Sequence, residues 1–399
     1  MPFERGHGPA VSAAVVEDCG VSIYAVQPRQ VQRVRERLGR CGGVPVGDLT
    51  VKIGHGGSLH RCASAGRRWS PCHGLGPFDQ QTLLEAGAAC SRLASGCATV
   101  AVVDSLRVAV DNLGLRLPSP LVQLRDDRLD VRGVALYLKQ DDLIHTDMPG
   151  NKWRKLKYNI VAAREQGAST LLTFGGAYSN HIRAVAAAAD HFGFRSIGVI
   201  RGERHNPLNE VLRFSEDHGM TLIYMDRATY REKSSREALA ELHARFGEFF
   251  LIPEGGSNDH ALRGCAELVE EIDIDFDIIC CPCGTGGTLA GIASGLREAQ
   301  RAIGFSALKG GRFLNDDVVR LQKSALGSAT QNWSIEQDFH FGGFGKKNSA
   351  LASFIQEFER EHHIRLDWVY VAKMMSGLFS LIENGRFNCG STVIAVVTG

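Results

Sequence analysis

From about Leu106 to the end of the chain, short apolar runs alternate with segments of helical character, and that alternation limits the fold more than any other feature. STLLTFGG (169–176), RSIGVIRG, TLIYMD, FDIICCPC (276–283) and STVIAVVTG are strand-length and largely apolar. Such runs have no wet face, so both faces of their sheet must be covered. The segments between them carry helix stop signals: KYNIVAAREQ ends at Gly167 and the alanine-rich AYSNHIRAVAAAADHFG at Gly193. Strand, helix, strand in this order gives parallel βαβ units, so the chain is expected to be an α/β protein. Further helices are expected over NEVLRFSEDHG, residues 236–246, HALRGCAELVEEI, LAGIASGLREAQRAIG and ALASFIQEFEREHH. LDWVYVAKMMSGLFSLIENG is expected to pass from a short strand into a helix.

Residues 1–105 do not share this pattern. They hold ten arginines against one lysine (Lys52), fifteen glycines and four aromatics, with apolar patches but no sustained period. They read as a poorly structured, flexible N-terminal extension, either an added targeting or regulatory arm or upstream sequence. The whole chain is 44% hydrophobic with a formal net charge of +1, which is globular composition with no basic surface for nucleic acid or an anionic membrane. No apolar run approaches the roughly 18 residues of a spanning helix. Acids appear early and no basic stretch precedes a long apolar core, so no secretory signal is expected. The eleven cysteines are odd in number and irregularly spaced, which favours free thiols and a cytoplasmic location.

Three junctions carry chemistry. PGNKWRKL (149–156) puts Lys152 behind a Gly-Asn turn at a helix start, with Arg154 and Lys155 in the next turn. The Gly-Asn pair is expected to supply the turn and the N-cap. A lysine in the field of a helix N-terminus and of neighbouring cations has a lowered pKa and can act as an amine nucleophile. A solvated basic helix start is the other reading of the same residues. FDIICCPC runs straight into GTGGT (284–288) and a helix, a phosphate cradle in which backbone N–H groups meet oxygens. No Gly-Lys-Ser/Thr follows, and Leu289 stands where GxGxxG needs its third glycine, so neither of those nucleotide fingerprints is present. A plain tight turn is the alternative. FGGAYSNH (174–181) offers Ser179, Asn180 and His181 at a helix start, to hold a carboxylate or simply to cap the helix. Lysine, phosphate cradle and anion-binding turn together point to pyridoxal phosphate. No metal site is expected. The CxxC of residues 280–283 lies in an apolar strand without a second pair, and the chain has no HExxH and no GxSxG elbow.

GNKWRKLKYN, TFGGAYSNH, PEGGSN, CGTGGT, HFGGFGKKN and VYVAKMMSGL before a final VVTG occur in the order seen in one known group. Over residues 106–399 the chain resembles the 1-aminocyclopropane-1-carboxylate deaminase and D-cysteine desulfhydrase family of pyridoxal-phosphate enzymes. The resemblance implies the tryptophan-synthase-β-like architecture (fold type II), with two parallel-sheet lobes and the cofactor in the cleft between them. The large lobe would comprise residues 106–155 and 263–399, and the small lobe 156–262. By position, Lys152 matches the lysine that bonds the cofactor and Lys155 one that contacts its phosphate. Asn180 matches the residue on the pyridine 3-oxygen. Ser179 and His181 match its substrate-binding neighbours, where the serine also binds the carboxylate or relays a proton. Gly284, Thr285, Gly286, Gly287 and Thr288 match the phosphate loop. Thr398 falls among the cofactor contacts, Phe344 at an active-site ring position, and Tyr370 at a tyrosine beside the cofactor that transfers protons. A small amino-acid substrate and a homodimer are implied as well.

Two positions depart from the family pattern. Deaminases carry a glutamate after the tyrosine, and desulfhydrases a small hydroxyl residue, near the pyridine nitrogen; this chain has Val371. Phe344 keeps the ring of the usual tyrosine but lacks the phenol. Thr398 is the residue of desulfhydrases where deaminases tend to have leucine. A carboxylate at the pyridine nitrogen keeps it protonated and deepens the electron sink. β-Elimination needs less of that sink, because the leaving thiolate removes the charge. The expected reaction is therefore conversion of D-cysteine, or a related D-amino acid, to pyruvate, sulfide and ammonia. The alternatives are opening of 1-aminocyclopropane-1-carboxylate to 2-oxobutanoate and ammonia, and a non-catalytic protein that binds pyridoxal phosphate.

Overall fold

The structure is a computed structural model that describes residues 113–399 and, before them, four strands alone. These are β1 (Ser12–Glu17), β2 (Val21–Ala25), β3 (Thr50–His55) and β4 (Ser58–Cys62), paired antiparallel in the order β2-β1-β3-β4. The rest of the N-terminal extension, and with it the expectation of flexibility, lies outside the described residues. The chain divides into two units, Met1–Ala101 and Val102–Gly399.

In the second unit the elements run β5 (Leu121–Leu124), α1 (Asp127–Arg132), β6 (Ala135–Gln140), α2 (Asn151–Glu165), β7 (Thr170–Gly176), α3 (Asn180–Phe192), β8 (Arg195–Arg201), α4 (Glu210–Asp217) and β9 (Met220–Met225). There follow α5 (Arg227–Arg231), α6 (Arg236–Phe246), β10 (Phe250–Ile252), α7 (Asp259–Glu270), β11 (Ile278–Cys283), α8 (Gly287–Gly295), β12 (Arg301–Ser306) and α9 (Phe313–Leu326). The chain closes with β13 (Trp333–Glu336), α10 (Ser349–His362), α11 (Val371–Glu383) and β14 (Thr392–Val397). One sheet has the order β10-β7-β8-β9 and is parallel throughout. The other has the order β13-β12-β11-β14-β6-β5 and is parallel except where edge strand β5 meets β6. This is the α/β architecture expected. Among the described residues no helix is long and apolar enough to cross a membrane.

The apolar runs behave as parallel strands must. β7 is buried at six successive residues, and β11 at five. β11 carries three buried free thiols, Cys280, Cys281 and Cys283. Burial pushes the Cys280 thiol up, and the bond to Cys283 together with burial does the same to Cys281. The helix expected over LAGIASGLREAQRAIG stops at Gly295, because residues 301–304 pair with β11 as the start of β12. The short strand expected before α11 is a turn instead, and the Asp367 carboxylate takes the N–H groups of Val369, Tyr370 and Val371. Helix α9 and strand β13 were not anticipated. β13 is four residues long with no fully buried position, so it carries no apolar run to announce it.

Helix α2 is fixed by charge as well as by packing. Arg154 is 2% exposed and forms two bonds to Asp141 (Nε–Oδ2 2.7 Å, Nη2–Oδ1 2.8 Å) and two to Glu271 (Nη1–Oε1 2.7 Å, Nη2–Oε2 2.9 Å). Ser119 Oγ donates to Asp141 Oδ1 at 2.7 Å, and Lys139 Nζ donates to Glu271 Oε2 at 3.1 Å. A Cβ at Gly264 of α7 would lie 1.9 Å from the Arg154 carbonyl oxygen, so only glycine lets the two helices meet there. Burial alone would raise the Glu271 carboxyl, but Arg154 outweighs it and holds the group below its ordinary 4.5. That contribution to stability is present above pH 4.5 and is lost as the pH falls through the depressed value. Replacing Arg154 by Met leaves buried Asp141 without an ionic partner and Glu271 with Lys139 alone, and should cost about 3–5 kcal/mol in urea unfolding. The acid-side loss of stability due to Glu271 should shrink in the same variant. A loss under about 1 kcal/mol would show that water satisfies the acids.

Candidate active site

Gly150 precedes α2 with φ 58°, and a Cβ there would fall 1.7 Å from the Thr398 carbonyl oxygen. The backbone thus enters α2 against the end of β14, in a conformation and a space open only to glycine. Gly150 is the N-cap and contributes no side-chain bond, so the expected Asn151 cap is not formed. Asn151 is inside the helix and does other work. Its Nδ2 donates to Thr288 Oγ1 at 2.9 Å, and its Oδ1 accepts from Lys152 Nζ at 2.6 Å. One amide therefore ties Lys152 to the start of α8.

Lys152 keeps part of its surface open, while protein crowds its ammonium. Burial first, and the Lys155 cation second, pull its pKa down to about 7. Among the described residues no carboxylate lies within ion-pair distance of it. Lys155 is buried, and its Nζ donates to the Gly255 carbonyl at 3.0 Å and to Ser257 Oγ at 3.3 Å; burial lowers this ammonium too. Ser257 Oγ shares a 2.6 Å hydrogen bond with Thr285 Oγ1. Lys155, Ser257 and Thr285 so form a continuous chain from α2 to the GTGGT turn. Gly287 fits against Ser257, whose Oγ a Cβ would meet at 2.4 Å.

The donor set suits a phosphate. It comprises an ammonium, the hydroxyls of Ser257, Thr285 and Thr288, and the start of α8, which has no side-chain cap although Gly287 and Thr288 are buried. Buried helix N–H groups without a cap call for an anion. Pyridoxal phosphate fits this arrangement, with Lys152 beside the same turn.

The remaining predicted residues fall into two places. Tyr370 stands at the head of α11 with its ring over the GTGGT turn, where a Cβ at Gly284 would lie 3.0 Å from Cε1 and 3.2 Å from the phenol oxygen. Burial, then the Asp367 charge, raises the phenol well above its ordinary range, so it stays protonated. Phe344, 48% exposed, packs edge-on against Tyr370 with ring centroids 5.7 Å apart. At the start of α3, Ser179 accepts from the Ile182 N–H as an N-cap, at 3.4 Å. Asn180 Nδ2 reaches the Gly399 carbonyl at 3.4 Å, next to buried Thr398. No direct bond joins Ser179 or Asn180 to the Lys152 group.

His181 is 2% exposed, with Nε2 2.8 Å from Thr173 Oγ1. The Thr173 hydroxyl donates onward to the Ile252 carbonyl, so His181 Nε2 is the donor to Thr173. Burial and the two lysine cations push this imidazole down to about 3, and it stays neutral. Its ring carbon would lie 3.1 Å from a Cβ at Gly256, so it packs beneath the PEGGSN turn. Val371 is fully buried in the apolar cluster around Leu138, Phe379 and Val397.

Ser257 and Asp367 were not assigned roles from sequence, and Asn151 only that of a cap. PEGGSN already held the serine, and an aspartate just ahead of a helix start is a capping signal. Elsewhere among the described residues, Asp126, Glu361 and His362 converge within 4.8 Å, but Arg128 already pairs with both acids there.

Residues 114–399 match the family described as pyridoxal-phosphate dependent enzyme. A protein of Pyrococcus horikoshii named "Putative 1-aminocyclopropane-1-carboxylate deaminase" is 31% identical over 279 residues, 67% of this chain and 85% of that protein. The D-cysteine desulfhydrase of Salmonella newport is 30% identical over 301 residues, 71% of this chain and 91% of the enzyme. The solved structure of an ACC deaminase homologue superposes with a TM-score of 0.64 at 28% identity, covering 71% of this chain and 90% of that one. With a lysine, an uncapped helix start and a hydroxyl chain assembled as this chemistry requires, the chain belongs to the pyridoxal-phosphate dependent enzymes of fold type II, in the family of 1-aminocyclopropane-1-carboxylate deaminases and D-cysteine desulfhydrases.

Proposed function

We propose that the protein eliminates the β-sulfur of D-cysteine, or of a related D-amino acid, releasing sulfide, pyruvate and ammonia. The observation that carries this reading is Val371, fully buried and apolar directly after Tyr370, where a deaminase carries its glutamate. The 30% identity to a D-cysteine desulfhydrase over 91% of its length and the presence of Thr398 support it further. The same reading makes the protein a cytoplasmic homodimer, in keeping with free thiols at Cys265, Cys280, Cys281, Cys283 and Cys389.

Bound pyridoxal phosphate supplies an electron sink for charge developing at the substrate Cα. The residues of the chain do the rest. Lys155, Ser257, Thr285 and Thr288 would hold the phosphate with the start of α8. Asn151 Oδ1 aims the Lys152 nitrogen, whose pKa of about 7 leaves a useful share of free amine at neutral pH. That amine would hold the cofactor and would serve as the base for the substrate Cα proton. Ser179 and Asn180 would bind the substrate carboxylate and the cofactor's ring oxygen. Tyr370, kept protonated beside the GTGGT turn, would donate a hydrogen bond or proton to the leaving sulfur. Buried, neutral His181 supports the PEGGSN turn and so places Ser257.

Two outcomes are expected. Borohydride trapping of added pyridoxal phosphate should label the Lys152 peptide, with the rate rising through pH 7 as the amine loses its proton, and Lys152→Ala should abolish the label. A label on Lys155 instead would reassign the attachment. The purified enzyme should release sulfide from D-cysteine and no 2-oxobutanoate from 1-aminocyclopropane-1-carboxylate. Production of 2-oxobutanoate alone would establish a deaminase working without the glutamate. Cofactor binding with neither product would favour a binding protein.

A further inference from the structure

Lys373 is the buried cation that neither the cofactor site nor the ion cluster uses. It lies on α11, 1% exposed, and Nζ donates to the Gly343 carbonyl at 2.7 Å and to the Ala307 carbonyl at 3.4 Å. Among the described residues no carboxylate lies within ion-pair distance of it, and burial lowers its pKa despite the Asp367 charge. An ammonium held by neutral carbonyls alone is expensive to bury, and an apolar residue of the same length would fill the space at lower cost. A residue that breaks the local rule in this way marks a functional position.

Its neighbours on the helix show what the position does. Lys373 and Gly377, four apart, share one face of α11, and Tyr370 is the N-cap residue three positions before Lys373. The glycine-rich loop of residues 339–346 meets that face point by point. Phe344 lies on Tyr370 with ring centroids 5.7 Å apart, and Gly343 bonds Lys373. Phe339 packs where a Cβ at Gly377 would come within 2.6 Å of its ring. Gly342, Gly343 and Gly345 have φ values of 98°, 108° and 61°, so side chains cannot stiffen this run. The two Phe contacts are apolar and non-directional. Lys373 supplies the single directional bond between the loop and the helix.

We infer that Lys373 is a positioning residue: by anchoring the Gly343 carbonyl to α11 it sets Phe344 against Tyr370, and so fixes where the Tyr370 phenol points in the active site. The inference rests on Tyr370 acting beside the cofactor. It assigns the elimination step a residue that touches neither substrate nor cofactor.

The test compares Lys373→Met, Lys373→Arg, Phe344→Leu and the double variant K373M/F344L, all as holoenzyme. In K373M, hydrogen exchange over residues 339–346 should quicken about tenfold with the rest of the chain unchanged. kcat with D-cysteine should drop about tenfold, with KM and cofactor Kd within about twofold. K373R keeps the donor and should restore slow exchange. In the F344L background, K373M should cost no further kcat, because the ring it places is already gone. Unchanged loop exchange in K373M would overturn the inference. So would a uniform rise of exchange across the chain, or kcat losses that multiply in the double variant. Should K373M fail to fold, K373R against wild type carries the comparison: slow exchange with kcat retained supports the anchor, and slow exchange with kcat lost rejects it. Absence of sulfide from the wild type would refute the substrate reading, and the exchange comparison would still decide whether Lys373 holds the loop.

Discussion

One guanidinium shared between two carboxylates determines the rest of the site. Arg154 sits between Lys152 and Lys155 on the same helix and engages both Asp141 and Glu271. Arginine does not lose its proton in proteins, so the pairing persists at every working pH. The acids are thereby taken up on one side of α2, and the two lysines on either side of Arg154 are left without carboxylates. An acid beside Lys152 would hold the ammonium charged and useless as a base or nucleophile. The ion cluster also fixes the helix itself, since its acids come from the end of β6 and the region after α7. The cluster thus fixes the position of the reactive amine, while burial and the Lys155 cation lower its pKa.

Around that helix the site is assembled by short polar relays. Asn151 connects Lys152 to Thr288, and Ser257 connects Lys155 to Thr285. Each relay ends on the turn between β11 and α8, whose backbone donors have no cap of their own. His181 adds a neutral brace below, held by a threonine whose own proton is committed to Ile252. Tyr370 closes the turn from the other side, against a glycine that leaves it room.

Much of this was legible in the chain. β7 and β11 announced themselves because a parallel strand buried on both faces reads as an unbroken apolar run. The junctions after them, and the PGNKWRKL helix start, were visible because glycine followed by Ser, Thr, Asn or Lys at a strand-to-helix turn has few other uses. What stayed hidden depends on distance in sequence. Nothing local says that Asn151 finds Thr288, or that Arg154 claims an acid more than a hundred residues away. The Asn151 cap failed for a local reason, since Gly150 is forced onto Thr398 and takes the cap position itself. Strand β13 escaped notice because an edge strand with one partner needs no apolar run.

The thiols of β11 gain a meaning from their neighbourhood. Pyridoxal phosphate is an aldehyde, and thiolates add readily to aldehydes and to oxidised sulfur. Cys280 and Cys281 lie on the strand that feeds the phosphate turn, with Cys265 on the helix beside it. All three are buried, and their thiols are pushed above the ordinary value, so almost none is ionised at neutral pH. Cys389, which lies after α11 and just before β14, is exposed. The fold therefore places sulfur close to an electrophile and, by denying it water, keeps it chemically silent.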